Sequence, residues 1–141
     1  MPFLEIVLNI INMKTIEDCL DNYYESEKLQ DLYECENCKK KCKAIKSTCI
    51  TKAPNYLVIV LGKFVMSTLK KIEDRVEYGF ELNMKKYCYG HSGDTSYYLQ
   101  SLIIHKGSKR NKGHYFTFSR RGNKNVINVL FRTGFISMME L

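Results

Sequence analysis

Tryptophan is absent from the 141 residues, and proline occurs only twice, at Pro2 and Pro54. With so few prolines, little of the chain is forced out of regular hydrogen-bonded structure. Long apolar runs are missing too. The longest, Tyr56 to Leu61, falls far short of the roughly 20 residues that a membrane helix needs. The front, Met1 to Met13, is apolar but lacks a basic start and carries Glu5, so it reads poorly as a secretion signal. Without such a signal, the six cysteines are expected as reduced thiols or metal ligands of an intracellular protein, in cytoplasm or nucleus.

Acidic residues are also in short supply. Fifteen Asp and Glu against 22 Lys and Arg leave a net charge of +7, with a pI near 9.1. A basic balance favours anionic partners. The lysines, however, gather in loop-like stretches between apolar runs, the pattern of a solvated surface. What is present suffices for one core: apolar residues make up 45% of the chain, and ten Tyr and seven Phe supply bulk.

Strand signals dominate the pass along the chain. Phe3 to Ile11 is rich in Leu, Ile and Val and predicts a strand. Thr15 to Leu20 predicts a helix, with Thr15 as N-cap and Asp18 as its capping partner. A second short helix is expected over Ser26 to Leu32, and a strand over Ala44 to Thr51. Pro54-Asn55 signals a turn. Tyr56 to Leu61 reads as a buried strand ending at Gly62. Further strands are expected over Val76 to Leu82, Tyr97 to His105, His114 to Ser119, Val126 to Phe131 and Phe135 to Met138. Lys106 to Gly113 reads as a polar loop between two of them. Short connections between strands favour antiparallel pairing.

Four blocks, in this order, resemble the later part of the ubiquitin-specific protease domain. Ile16-Glu17-Asp18-Cys19-Leu20 with Glu27-Lys28-Leu29 is similar to the family's stretch before the fingers. Tyr33-Glu34-Cys35-Glu36-Asn37-Cys38 resembles its second zinc knuckle. Pro54 to Phe64 resembles its buried strand ending in a basic residue and Phe. Tyr98 to Gly107, leading into Gly113-His114-Tyr115, resembles its histidine box. The resemblance implies an α+β fold, mainly antiparallel sheet with few short helices. This is the palm and fingers of a papain-like cysteine protease, with the thumb missing. Fingers would cover about 1–55, and the palm about 56–141.

The family's activity, isopeptide hydrolysis at the ubiquitin C-terminus, needs a thiolate nucleophile and a histidine that takes and returns its proton. By resemblance His114 is that general base, and Gly113, Tyr115 and His105 line the path of the substrate tail. A glycine before the base lets backbone approach a narrow substrate. Arg132 stands where the family places the Asp or Asn that orients the base. A guanidinium has no acceptor for an imidazole N–H. Asn128 or Asn125 substitutes only if the register slips. None of Cys19, Cys35, Cys38, Cys42, Cys49 and Cys88 matches the nucleophile block. The chain alone is therefore expected to be inactive, with ubiquitin or a ubiquitinated protein as partner and a second chain supplying the missing block. The alternatives are a non-catalytic ubiquitin-binding module or part of a split gene.

Cys35 and Cys38 give two of the four ligands of a structural zinc site; the resemblance places the other pair before Met1. Cys42 and Cys49, seven apart, fall on opposite faces of a single strand. A half-site without metal is the expectation, and no cofactor is required. A basic Cys knuckle also suits nucleic acid. Tyr33 precedes the lysine cluster and no aromatic follows until Tyr56, which speaks against that partner.

Overall fold

The computed structural model describes residues 5–65, 67–68, 71–72, 74–90, 93–109, 112–121, 124–129 and 136–140. Among the described residues, eleven strands, one α-helix and one 3-10 turn follow each other along the chain. The strands are β1 (Ile6–Leu8), β2 (Glu27–Lys28), β3 (Tyr33–Glu34), β4 (Lys41–Cys42), β5 (Ile45–Lys46) and β6 (Tyr56–Leu61). They continue with β7 (Glu81–Asn83), β8 (Ser96–Lys109), β9 (Lys112–Arg121), β10 (Lys124–Val129) and β11 (Ile136–Glu140). The helix is α1 (Ile16–Tyr23).

One seven-stranded sheet holds the fold, in the order β1-β6-β11-β8-β9-β10, with β7 paired to β8. The expected antiparallel character holds except at β1, which runs parallel to β6 with Ile6 beside Ile59. The last strand lies inside the sheet. β11 inserts between β6 and β8, setting Ile136 beside both Ile59 and Leu102. Two small hairpins, β2-β5 and β3-β4, stand as separate two-stranded sheets.

Strand β6 sits between β1 and β11, which explains its continuous apolar run. Leu57 and Ile59 are fully buried, and Val58 and Val60 on the other face are half-buried. Ile6, Leu8, Leu57, Ile59, Leu82 and Tyr97 meet α1 in one core. The helix contributes Ile16, Cys19 and Leu20, a three-four spacing that puts all three on one face. Tyr97 is buried, and its hydroxyl donates to the Pro54 carbonyl at 2.7 Å.

Helix α1 starts where its capping residues require. The Thr15 hydroxyl accepts from the Asp18 amide at 3.1 Å, and the Asp18 carboxylate accepts from the Thr15 amide at 2.9 Å. These two bonds satisfy orphan amides reciprocally. They also hold the Asp18 carboxyl below its ordinary range. Thr15→Ala should lower stability by about 1 kcal/mol, read as a shifted urea midpoint with an unchanged slope. A midpoint equal to wild type would show that the cap is not formed.

The second expected helix is a correction. Over Ser26 to Leu32 the chain forms β2 and then bends. Seven residues carry too little propensity to hold a helix alone. Pairing with β5 supplies what is missing: Glu27 lies beside Lys46, their side chains 3.5 Å apart, and the Leu29 amide donates to the Ala44 carbonyl at 3.0 Å. The strand expected over Val76 to Leu82 shrinks to β7, with a single bridge from Glu77 to Thr15 ahead of it. The polar stretch from Lys106 is mostly hairpin, since β8 runs on to Lys109 and β9 begins at Lys112. Among the described residues, no helix is long and apolar enough to cross a membrane.

Candidate functional site

The histidine hairpin is built by register. Across β8 and β9, Lys106 faces His114 and His105 faces Tyr115. His114 lies at the solvent-exposed end of the pair. The His105 ring is packed inside, with its centroid 4.6 Å from the Tyr115 ring and 6.0 Å from that of Phe64. Both ring nitrogens of His105 are buried with no hydrogen-bond partner among the described residues.

Two glycines make this packing feasible. Gly113 has φ 156°, and a Cβ there would collide with the His105 ring and the Lys106 carbonyl. A Cβ at Gly107 would press on the Lys112 carbonyl and the Gly113 backbone. The hairpin mouth is further tied by Lys71, whose ammonium donates to the Gly107 carbonyl at 2.8 Å and to the His105 carbonyl at 3.5 Å. Sequence reasoning missed this lysine. Phe64 pairs with it in a lone bridge, and nothing local in the sequence points to it.

The expected tail-lining residues Gly113, Tyr115 and His105 are thus brought together with His114. Arg132 lies outside the described residues. Asn128 stands in β10 opposite Phe118, one strand over from the hairpin, and Asn125 falls where the β10 register shifts.

The thiols lie elsewhere. Cys19 is in the core, on the buried face of α1. Cys88 is bridged to Ile50 next to Cys49. It follows β7, whose Asn83 pairs with Ser96. His114 pairs with Lys106, ten residues further along β8, which is about 33 Å of strand. Burial pushes the Cys19 and Cys88 thiols up, the opposite of what a nucleophile needs.

Cys35 differs. The amides of Cys38 and Asn37 and the Cys38 thiol point at its sulfur and hold it below the ordinary thiol range. The knuckle is closed by Cys35 N–H to Lys40 O at 3.0 Å and Lys39 N–H to Cys35 O at 2.8 Å, with Lys39 left-handed at φ 57°. Amides aimed at a cysteine sulfur on a tight turn suit a metal-bound thiolate, so the residues present fit half of a zinc site. Cys42 is turned away, its thiol 3.7 Å from the Tyr33 carbonyl. Cys49 lines a different region, a cleft of about 620 Å³ between α1 and the 3-10 turn. There Asp21 accepts from Lys86 at 2.6 Å and from the Tyr87 hydroxyl at 2.7 Å. None of the residues lining that cleft belongs to β8 or β9.

A mostly antiparallel sheet that presents a glycine-histidine pair on a hairpin gives the class: a papain-like fold. Comparisons with known proteins give the family. The ubiquitin carboxyl-terminal hydrolase model matches residues 11–133. Ubiquitin carboxyl-terminal hydrolase 8 of Saccharomyces cerevisiae is 35% identical over 133 residues, covering 84% of this chain and 28% of that protein. Ubiquitin carboxyl-terminal hydrolase 23 of Arabidopsis thaliana is 32% identical over 123 residues, 84% of this chain and 14% of its own length. Among solved structures, the SAGA module of Ubp8 with Sgf11, Sus1 and Sgf73, bound to monoubiquitin, superposes with a TM-score of 0.80. There the identity is 29%, and the match covers 98% of this chain and 35% of the other. The chain belongs to the ubiquitin carboxyl-terminal hydrolase family. It spans about a third or less of the relatives it matches.

Proposed function

We propose that this chain is the ubiquitin-holding palm and finger part of a deubiquitinase, and that it does not hydrolyse conjugates alone. The observation that carries the reading is the hairpin. His114 is exposed beside Gly113, whose missing side chain lets the His105 ring pack against the β8-β9 hairpin and leaves the backbone bare next to the base. A diglycine tail, which also lacks side chains, can lie close against backbone of this kind. The relative solved with monoubiquitin supports the choice of ligand.

In this reading His114 takes the proton from a thiol supplied outside the described residues and returns it to the leaving amine. Gly113, Tyr115 and the backbone over His105 hold the tail. No described side chain takes the orienting role, and an arginine at 132 cannot take it, having no acceptor. The division into fingers, about 1–55, and palm, about 56–141, belongs to the same reading, with β1 joined to the palm sheet. Zinc, bound through Cys35 and Cys38 with two further ligands, would cross-link the finger tip.

A ubiquitin suicide probe and a ubiquitin titration test the reading together. The lone chain should stay unlabelled by the probe, yet bind labelled ubiquitin with saturation at micromolar concentrations. Covalent labelling would overturn the claim of inactivity. No binding at high micromolar concentration would overturn the claim of ubiquitin holding.

A further inference from the structure

We propose that Cys49 and Cys88 form a reversible disulfide in the cleft between α1 and the 3-10 turn, made by a small peroxide and undone by free thiols. The inference stands on that cleft and is independent of the ubiquitin reading.

Backbone placement comes first. Ile50 and Cys88 form a lone parallel bridge. The Ile50 amide donates to the Tyr87 carbonyl at 2.9 Å, and the Tyr89 amide donates to the Ile50 carbonyl at 2.8 Å. Cys49 is therefore the diagonal neighbour of Cys88. Paired chains lie about 4.8 Å apart and advance about 3.3 Å per residue, which sets a diagonal pair about 6 Å apart. Disulfides span Cα separations of roughly 4.4–6.8 Å. In a continuous ladder, neighbouring residues would be held to opposite faces. Here the pairing stops at one bridge, and both cysteines line the same cleft.

Exposure comes second. Both cysteines are free thiols, Cys49 exposed and Cys88 half-buried. Burial pushes the Cys88 thiol up, and charge on Cys49 adds to the effect. Burial and then Tyr23 push the Tyr24 phenol up, with further contributions from Cys88 and Cys49. The two sulfurs and this phenol share one electrostatic neighbourhood. The other cysteines are placed differently. Cys19 is fully buried in the core, and the Cys42 thiol lies against the Tyr33 carbonyl. Cys35 and Cys38 share one turn. Cys49 and Cys88 are a pair that only the folded chain assembles.

Chemistry comes third. Cys49, the exposed thiol, meets the oxidant first. Its thiolate attacks hydrogen peroxide: an S–O bond forms, the O–O bond breaks, and the departing hydroxide takes a proton to become water. The Cys88 thiol then loses its proton and attacks the Cys49 sulfur. The S–S bond forms, the S–O bond breaks, and a second water leaves. In sum, two thiols and one hydrogen peroxide give one disulfide and two waters. Asp18, Asp21 and Glu25 outnumber Lys86 in the cleft lining, which favours a neutral oxidant over an anionic one such as glutathione disulfide. The new bond closes a loop that contains β6 and β7, and a closed loop constrains the unfolded chain.

Peptide mapping tests the pair directly, because each sulfur sits alone in a tryptic peptide, Cys49 in 47–52 and Cys88 in 87–106. The reduced 141-residue chain is treated with one equivalent of hydrogen peroxide, alkylated and digested. We expect 47–52 linked to 87–106, with the link lost after dithiothreitol. The oxidised chain should unfold at a higher urea midpoint that returns to its starting value on reduction. Cys88→Ser should strand Cys49 as a sulfenic acid, trapped by dimedone about ten-fold more than in wild type. Cys38→Ser, which disables the competing knuckle pair, should leave the link intact. Recovery of both peptides singly alkylated while the knuckle oxidises would overturn the proposal, as would Cys49 linked to Cys35, Cys38 or Cys42. A link that lowers the urea midpoint would also overturn it, since the fold would then have to distort to bring the sulfurs together.

Discussion

Gly113→Ala should cost the fold about 3 kcal/mol and remove ubiquitin binding with it. Two effects combine. The Cβ meets a ring nitrogen of His105 and the Lys106 carbonyl, and overpacking of that kind costs about 1–3 kcal/mol. The backbone at φ 156° is one that a side chain rarely adopts, which adds on the order of 1 kcal/mol. The neighbours have little room to yield. The Lys106 carbonyl belongs to the β8 backbone, and the His105 ring is held between Tyr115 and Phe64. Gly90 supplies the control. Its φ of 66° is also unfavourable to a side chain, yet nothing lies within 4 Å of the added Cβ. Gly90→Ala should therefore cost only the left-handed strain, about 1 kcal/mol. Paired urea melts separate the two costs, and ubiquitin titration of both variants links the first to the site. Equal melting midpoints for the two variants would mean that the His105 ring moves aside freely. The hairpin would then not be a fixed surface for the tail.

Much of this site was legible as a string of residues, because glycine and histidine at 113 and 114 carry meaning in their spacing from His105 and Gly107. Register then did the rest: a β-pair that sets His105 against Tyr115 also sets His114 against Lys106. The clasp from Lys71 to Gly107 was not legible, since it joins residues 36 apart and a lone lysine gives no local sign. The place of β11 was hidden for the same reason. Alternation over a short strand does not say whether it lies at an edge or inside, and pairing with both β6 and β8 reveals it as interior. The front helix was readable because its cap is local, three residues from Thr15 to Asp18. The false helix over Ser26 to Leu32 failed for the complementary reason, as its partner is β5, seventeen or more residues away.

Cysteine reading shows the same divide. Cys35 and Cys38 belong to one turn, so their spacing predicted their geometry. Cys42 and Cys49 were expected to be apart on facing grounds, and they are apart for a different reason. One is in the β3-β4 hairpin, and the other lines the cleft against Tyr24 and Tyr87. The stacked rings of Tyr24 and Tyr87, 5.0 Å between centroids, close the end of α1 over that cleft. Burial pushes both phenols well above their ordinary range.

Ile59→Ala should have the largest effect on the fold, and it acts on the site without touching it. Ile59 is fully buried. It faces Ile6 of β1 on one side and Ile136 of β11 on the other. Ile136 in turn faces Leu102 of β8, and Leu102 faces Phe118 of β9. One row of residues thus crosses five strands and ends on the strand that carries His114. Truncation of a buried isoleucine leaves a cavity that a close-packed sheet cannot collapse, at about 2–5 kcal/mol. A domain of this size is stable by only about 5–15 kcal/mol, so a cost near the upper value removes a large part of the whole. Ile104→Ala is the matched comparison, on the same β8 but 41% exposed, and should cost less than about 1 kcal/mol. Thermal melts should separate the variants by roughly 10 °C, and ubiquitin titration below both melting points should find the Ile104 variant binding normally. If Ile59→Ala melts with wild type, the row from β1 to β9 does not hold the hairpin in place. The exposed histidine would then owe its position to the β8-β9 pair alone.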